Sequence, residues 1–275
     1  MIKEKFDLNR KKALVIGGRG FLGRRFCAAL AEFGATVYSA DLPEPSLAAS
    51  ADHSLPTTVN DAFEQFNCDV SDPDSVKELV AHFPHIDVLV YSVTAKPRDF
   101  YRPFTECSLE GWQLVLRAEL DGLFLVTQAV GKIMERAGAG SMIFLSSIYG
   151  IVGNDQHIYE GSNLRELYLG EESGEAKQVY AHPVYAAAKG AVISLTRFLA
   201  AYWGDNNIRV NCISPGGLAH PGENEEFLKR YSARVPLGRK GGLDDVSGAV
   251  VYLASDASSY VTGHNLVVDG GWTAW

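Results

Sequence analysis

Short runs of apolar and β-branched residues recur at 13–16, 36–40, 88–91, 142–145, 209–213 and 266–268, with a weaker one just before Asp69. They are nearly all apolar rather than alternating, as expected of parallel strands covered on both faces. Between them the apolar spacing changes to three and four residues. A helix is predicted over 21–33, with Leu22, Phe26 and Leu30 on one stripe and Gly34 as its stop. Asp72 and Pro73 supply the N-cap and first turn of a second helix carrying Val76, Leu79 and Val80. A long helix covers 109–136, and another covers 184–203 with Val192, Leu195 and Leu199 at helical intervals. This β–α alternation predicts one α/β domain over 1–275. Its sheet is doubly wound, mainly parallel and of about seven strands, with a ligand crevice at the strands' carboxyl ends. Two stretches break the rhythm, 154–182 and 218–242, both following strand ends. Long loops in compact domains are generally functional or disordered.

Composition narrows the function classes. The 275 residues carry a net charge of −8, which argues against nucleic acid or an anionic membrane surface as a partner. No apolar run approaches the roughly 18 residues of a membrane span, and the charged start at 1–12 lacks the apolar core of a signal peptide. Cys27, Cys68, Cys107 and Cys212 lie far apart and read as reduced thiols of a cytoplasmic protein. Neither they nor the seven dispersed histidines have metal-site spacing, so no metal is expected.

The first strand runs into Gly17-Gly18-Arg19-Gly20-Phe21-Leu22-Gly23 and then the first helix. In that context the glycines form a dinucleotide fingerprint: Gly18 turns the chain, Gly20 admits the pyrophosphate, and Gly23 allows close helix–strand packing. The helix N-terminus offers free N–H groups to phosphate. Asp41 ends the second strand, where a carboxylate binds a ribose 2′-hydroxyl and repels a 2′-phosphate, favouring NAD. Arg19 pulls toward NADP if it meets that phosphate, and is otherwise a solvated loop charge.

Tyr185 and Lys189 stand four apart on one helix face. An ammonium beside a phenol favours the phenolate, so it lowers a pKa that starts near 10 and makes the ring a plausible general acid/base.

Taken in order, the glycine loop, Ser146-Ser147, Tyr185 with Lys189, the run from Arg209 through Asn211-Cys212-Ile213-Ser214-Pro215-Gly216, and Tyr260 through Asp269-Gly270-Gly271 resemble the short-chain dehydrogenase/reductase family over nearly the whole chain. The later motifs resemble its classical branch and the glycine spacing its extended branch. The resemblance implies a Rossmann fold and an NAD(P)-dependent oxidoreductase acting on a small molecule, assembled as a homotetramer or homodimer. The interfaces would be the long helix, the Tyr185 helix and the C-terminal strand, with Trp272 and Trp275 either buried there or packed on their own subunit. It implies Ser147 as the anchor of the substrate oxygen, Tyr185 as proton donor or acceptor, and Lys189 as ribose ligand and pKa tuner. Asp69 and Val70 match the pair at adenine, and Pro215 and Gly216 the turn beside nicotinamide. The tail and the segments 146–150 and 158–161 are similar to bacterial enzymes of surface-sugar and flagellin-glycan synthesis.

Three departures stand out. Tyr91-Ser92-Val93-Thr94 replaces the family's Asn-Asn-Ala-Gly, which puts the ribose site around Ser92 in doubt. Glu119 occupies the place of the fourth catalytic residue, an Asn; a carboxylate there is a relay, a proton acceptor or a structural change. The 38 residues from Ser147 to Tyr185 exceed the family's spacing, so 154–182 reads as an insertion, a flap over the site, with 218–242 as a substrate loop. Lys96, Arg98 and Arg102 follow the fourth strand, either meeting a substrate phosphate or carboxylate or forming a solvated charged loop. The leading expectation is interconversion of a secondary alcohol and a ketone on a polar, sugar-like substrate. Its rivals are a dehydratase or epimerase using NAD transiently, and a dinucleotide-binding sensor or scaffold.

Overall fold

Every predicted strand forms, and the weak one before Asp69 becomes an edge strand. In the computed structural model, which describes residues 1–43, 63–170 and 178–275, they are β1 Lys12–Ile16, β2 Thr36–Asp41, β3 Glu64–Asn67, β4 Val88–Tyr91, β5 Gly140–Leu145, β6 Ile208–Pro215 and β7 Asn265–Val268. All pair in parallel in the order β3-β2-β1-β4-β5-β6-β7. The chain starts in the middle, winds outward to β3, and returns to lay β4 on the other side of β1. That reversal opens a crevice above the carboxyl ends of β1 and β4.

The helices are α1 Phe21–Glu32, α2 Pro73–Ala81, α3 Leu109–Leu116, α4 Gly122–Ala137, α5 Leu164–Leu169, α6 Pro183–Trp203, α7 Glu225–Ser232 and α8 Leu243–Ala254. Side chains alternate across β1. Leu14 and Ile16 join the core shared with α2, α4 and α6, while Ala13 and Val15 join the one under α1 and α8. A third apolar cluster lies outside these layers. It draws Ile158, Tyr159, Leu164 and Val179 from the insertion and Phe227, Tyr231 and Val235 from the 218–242 side, and Tyr185 packs against it. Part of the insertion, 171–177, lies outside the described residues.

Two expectations need correction. The predicted helix over 109–136 is interrupted by a π turn at Arg117–Asp121 between α3 and α4. And one helix, Pro183–Asn206, does reach the length and apolarity of a membrane span, with a mean hydropathy of 1.2. One face of it packs inward, with Val184, Ala188, Val192, Ile193, Thr196, Ala200 and Trp203 buried along α6 together with Lys189, while Phe198 and Tyr202 are exposed.

Candidate active site

The glycine loop closes tightly over the end of β1. The left-handed turn falls on Gly17 (φ +79°) rather than on Gly18, and a Cβ there would lie 2.5 Å from the Ser92 carbonyl oxygen. Gly23 packs as expected: a Cβ would sit 2.0 Å from the Gly17 carbonyl oxygen. Gly20 is the N-cap of α1, no side chain caps the helix, and its first turn has no acidic residue. The N–H groups of Phe21, Leu22 and Gly23 thus open the helix with its positive dipole end uncompensated.

At the outer end of the crevice, Asp41 accepts the Arg19 backbone N–H through Oδ2 (3.0 Å) and the Leu42 N–H through Oδ1 (2.8 Å). Burial raises its pKa, opposed by these N–H groups and the Arg19 charge. The Arg19 guanidinium turns along the β2–β3 edge. It donates to Gln65 Oε1, the Leu42 carbonyl, Asn67 Oδ1 and the Phe66 carbonyl at 2.9–3.3 Å. It is therefore a bound side chain, not the solvated charge of the sequence reading. Asp69 accepts Ser71, Val70 is buried beside Gly122, and Ser92 bonds back to the β1 end through its N–H. Gly216 lies so close to Asp269 that a Cβ would meet its Cα at 2.9 Å, and it continues Pro215 at the end of β6.

The structure brings Ser147, Tyr185, Lys189 and Glu119 together beyond the ends of β4 and β5. Ser147 caps the turn after β5, its Oγ accepting the Tyr149 N–H (3.2 Å), while Ser146 Oγ donates to the Lys189 carbonyl (2.8 Å) and ties that turn to α6. The Lys189 ammonium donates to the Leu145 carbonyl (3.1 Å), lies 2.9 Å from Glu119 Oε2 and 5.3 Å from the centre of the Tyr185 ring. Lys189 and Glu119 are both buried. Burial works against the lysine charge, but the Glu119 carboxylate prevails and raises its pKa. The Tyr185 phenol behaves differently from the simple expectation. Lys189 and Ser147 do favour its ionised form, yet burial, reinforced by the Glu119 charge, leaves its pKa above the ordinary value.

The π turn and the altered segment after β4 belong together. A π turn bulges a helix and leaves carbonyls without their usual partners. The Tyr91 hydroxyl donates to the Ala118 carbonyl within this turn (2.5 Å), and Thr94 Oγ1 donates to Glu119 Oε1 (2.6 Å). Within the unusual Tyr91-Ser92-Val93-Thr94 run, Tyr91 thus holds the turn and Thr94 the carboxylate it carries.

A family model described as Enoyl-(Acyl carrier protein) reductase matches residues 19–163 and 170–273. The chain is 33% identical over 279 residues to D-threitol dehydrogenase of Mycolicibacterium smegmatis, covering 98% of this chain and 95% of that one. It belongs to the short-chain dehydrogenase/reductase family. Among solved structures, it is similar to a short chain dehydrogenase of Leptospira borgpetersenii with bound NAD+ (TM-score 0.81, 29% identity, covering 97% and 94% of the two chains). It is also similar to a gluconate 5-dehydrogenase of Burkholderia cenocepacia in complex with NADP and tartrate (TM-score 0.79, 27% identity, covering 99% and 98%). The protein is thus an NAD(P)-dependent short-chain dehydrogenase/reductase, and the uncapped N-terminus of α1 under a glycine loop suits the pyrophosphate of such a cofactor.

The residues 164–169 that the family model leaves out are the whole of α5. In this short-chain dehydrogenase/reductase the insertion is clasped to the 218–242 loop. Asn163 donates to the Gly222 carbonyl (2.7 Å) and accepts the Asn224 N–H (3.0 Å), and Asn224 Nδ2 donates to the Gly161 carbonyl (2.7 Å). Glu160 pairs with Arg230 (2.6 Å) and Asp155 with Arg234 (3.4 Å). Sequence reasoning missed three residues here. Glu223 and Lys240 form a buried ion pair under the loop, with the ammonium 4.6 Å from the Phe227 ring. Tyr168 of α5 meets Lys96, whose Nζ lies 3.3 Å from the ring centre. The signal was faint: opposite charges in a Pro- and Gly-containing loop, and one aromatic in a polar stretch. Trp272 packs on its own subunit, stacked on Tyr231 (4.5 Å), whereas Trp275 is exposed.

Proposed function

We propose that the enzyme interconverts a secondary alcohol and a ketone on a small polyhydroxylated, sugar-like substrate, with NAD preferred over NADP. The observation that carries this reading is the half-buried Tyr185 against the buried Lys189–Glu119 pair, beside Ser147 at the mouth of the crevice. When bound, the nicotinamide supplies or accepts the hydride at the substrate carbon. Ser147 donates a hydrogen bond to the reacting oxygen, where charge builds up, and Tyr185 gives or takes the proton on that oxygen. Lys189 steadies the phenolate and binds the ribose. Glu119 relays the proton onward: Thr94, its hydrogen-bond partner, is exposed, so the pair offers a path from the buried site to solvent.

The described parts of the insertion, 154–170 and 178–182, and the substrate loop at 218–242 form the roof of the same pocket. D-Threitol dehydrogenase and gluconate 5-dehydrogenase, named for a polyol and a sugar acid, support a substrate of this kind. Preference for NAD is supported by Asp41 at the end of β2 and by the Arg19 guanidinium being held by four protein acceptors. A homotetramer or homodimer is supported by exposed apolar side chains on α3, α4 and α6: Leu114, Phe124, Phe198 and Tyr202. A cytoplasmic location is supported by four free thiols.

Tyr185→Phe is the direct test. Turnover should fall by about 10²–10⁴-fold, the span of general acid–base contributions, with NADH affinity within about 2-fold of wild type on the scale where tenfold is 1.4 kcal/mol. Undiminished turnover contradicts the assignment. The buried Glu119 carboxylate also favours a second reading, dehydration or epimerisation without net redox change. NADH formed in step with product rules that out.

A further inference from the structure

We propose that Lys96 anchors a substrate carboxylate, so that the preferred substrate is a polyhydroxy acid rather than a neutral polyol. This rests on the reading above, with Ser147 and Tyr185 acting at the substrate's other end.

The argument begins with charge. Among the described residues, the roofed pocket holds three lysines that are at least half-buried. Lys189 is closed by Glu119 (2.9 Å), and Lys240 by Glu223. Lys96 has no described carboxylate within ion-pair distance; its contact is the Tyr168 ring face, 3.3 Å from Nζ. An aromatic face attracts a cation through its quadrupole and leaves its charge uncancelled. The Lys96 ammonium is thus left to pair with a monoanion. Burial pushes the Lys96 pKa down to about 7, with Glu223 and Glu119 pulling it back up, as befits an ammonium between two acids that are already paired.

Position agrees with charge. Lys96 follows Thr94 by two residues, and Thr94 holds Glu119, so the ammonium enters the pocket from the loop beside the reacting group. The other cations of that loop serve elsewhere: Arg98 is exposed, and Arg102 pairs with Glu106 at 3.8 Å. Tyr168 is itself fixed from two sides, stacked on Tyr101 (6.3 Å) and edge-on to His220 (5.3 Å) of the substrate loop. Because α5 falls in the gap of the family match, this lysine–tyrosine contact is a feature of the inserted segment.

The test is calorimetric titration of the enzyme saturated with NADH, using two matched pairs: D-gluconate with D-glucitol, and D-threonate with D-threitol. Wild type should bind the acid of a pair at least about 10-fold more tightly. Lys96→Met should weaken the acids by about 10–100-fold, the loss of a hydrogen bond between charged groups, and leave the polyols within about 2-fold. Lys96→Arg should restore most of the difference. No preference for either acid in wild type, or equal weakening of acids and polyols by Lys96→Met, overturns the proposal. So does Lys96-dependent binding of D-glucose 6-phosphate tighter than that of gluconate, since the anion would then be a phosphate. Binding is read without turnover, so a Tyr185→Phe enzyme that still turns over would sink the alcohol–ketone chemistry while leaving the Lys96 result to stand or fall alone.

Discussion

At the scale of single residues, the notable substitution is a carboxylate where the family has an amide. An Asn beside Lys189 would leave the ammonium's full charge to act on Tyr185. Glu119 instead neutralises that charge at 2.9 Å and adds its own repulsion to a developing phenolate. Pairs of this kind are expensive to bury and more expensive to break: removing one partner costs about 3–5 kcal/mol, because the other charge is left without compensation. The carboxylate is also not a loose end. Thr94 binds its second oxygen, so the charge is held in one orientation by the segment that differs from the family. Glycine-loop chemistry and the Tyr185–Lys189 spacing were legible because each is local along the chain. The acid's effect on the tyrosine was not, since 66 positions separate Glu119 from Tyr185 and only the fold sets their distance.

Among elements, the π turn at Arg117–Asp121 does the positioning. Without the bulge, α3 and α4 would run on as one α-helix with a different residue facing the site. The Tyr91 hydroxyl, resting where a Cβ on Gly122 would come within 2.5 Å, satisfies the bulged Ala118 carbonyl. Tyr91→Phe should therefore cost about 1–3 kcal/mol for an unsatisfied buried acceptor, lowering the Tm by a few degrees in a chain of this size. It should also reduce kcat more than it raises KM, because the turn that carries Glu119 is loosened. Thermal unfolding and steady-state kinetics check both; an unchanged Tm would mean that the bond does not hold the turn. Sequence periodicity placed the helix over 109–136 but could not show the bulge, which shifts the register by one residue without altering composition. The 154–182 segment was legible only as excess length between Ser147 and Tyr185, and its contacts with 218–242 join residues about 60 positions apart, such as Asn163 and Asn224.

For the whole molecule, the sheet order follows from the alternation of apolar runs, and the third apolar cluster from the insertion closing over one end of that sheet. What faces outward is equally specific. Phe198 and Tyr202 stack on each other on the exposed side of α6, 6.2 Å apart, and Phe124 of α4 is exposed as well. A patch of this kind suits the subunit contact proposed above. Phe198→Asp with Tyr202→Asp should drop the sedimenting species to a smaller oligomer or monomer, whereas an unchanged mass would move the contact elsewhere. The chain's several departures from its family converge on one arrangement, Thr94–Glu119–Lys189–Tyr185, in which the carboxylate opposes the pull of Lys189 on the phenol. The most direct measurement is the pH profile of kcat/KM in the alcohol-oxidising direction for wild type and Glu119→Gln, with NADH affinity checking that the site survives. Removing the carboxylate removes one influence that raises the Tyr185 pKa and releases Lys189 to lower it further. The rising limb should move to lower pH in the variant. A limb that stays in place, or moves to higher pH, would contradict the account.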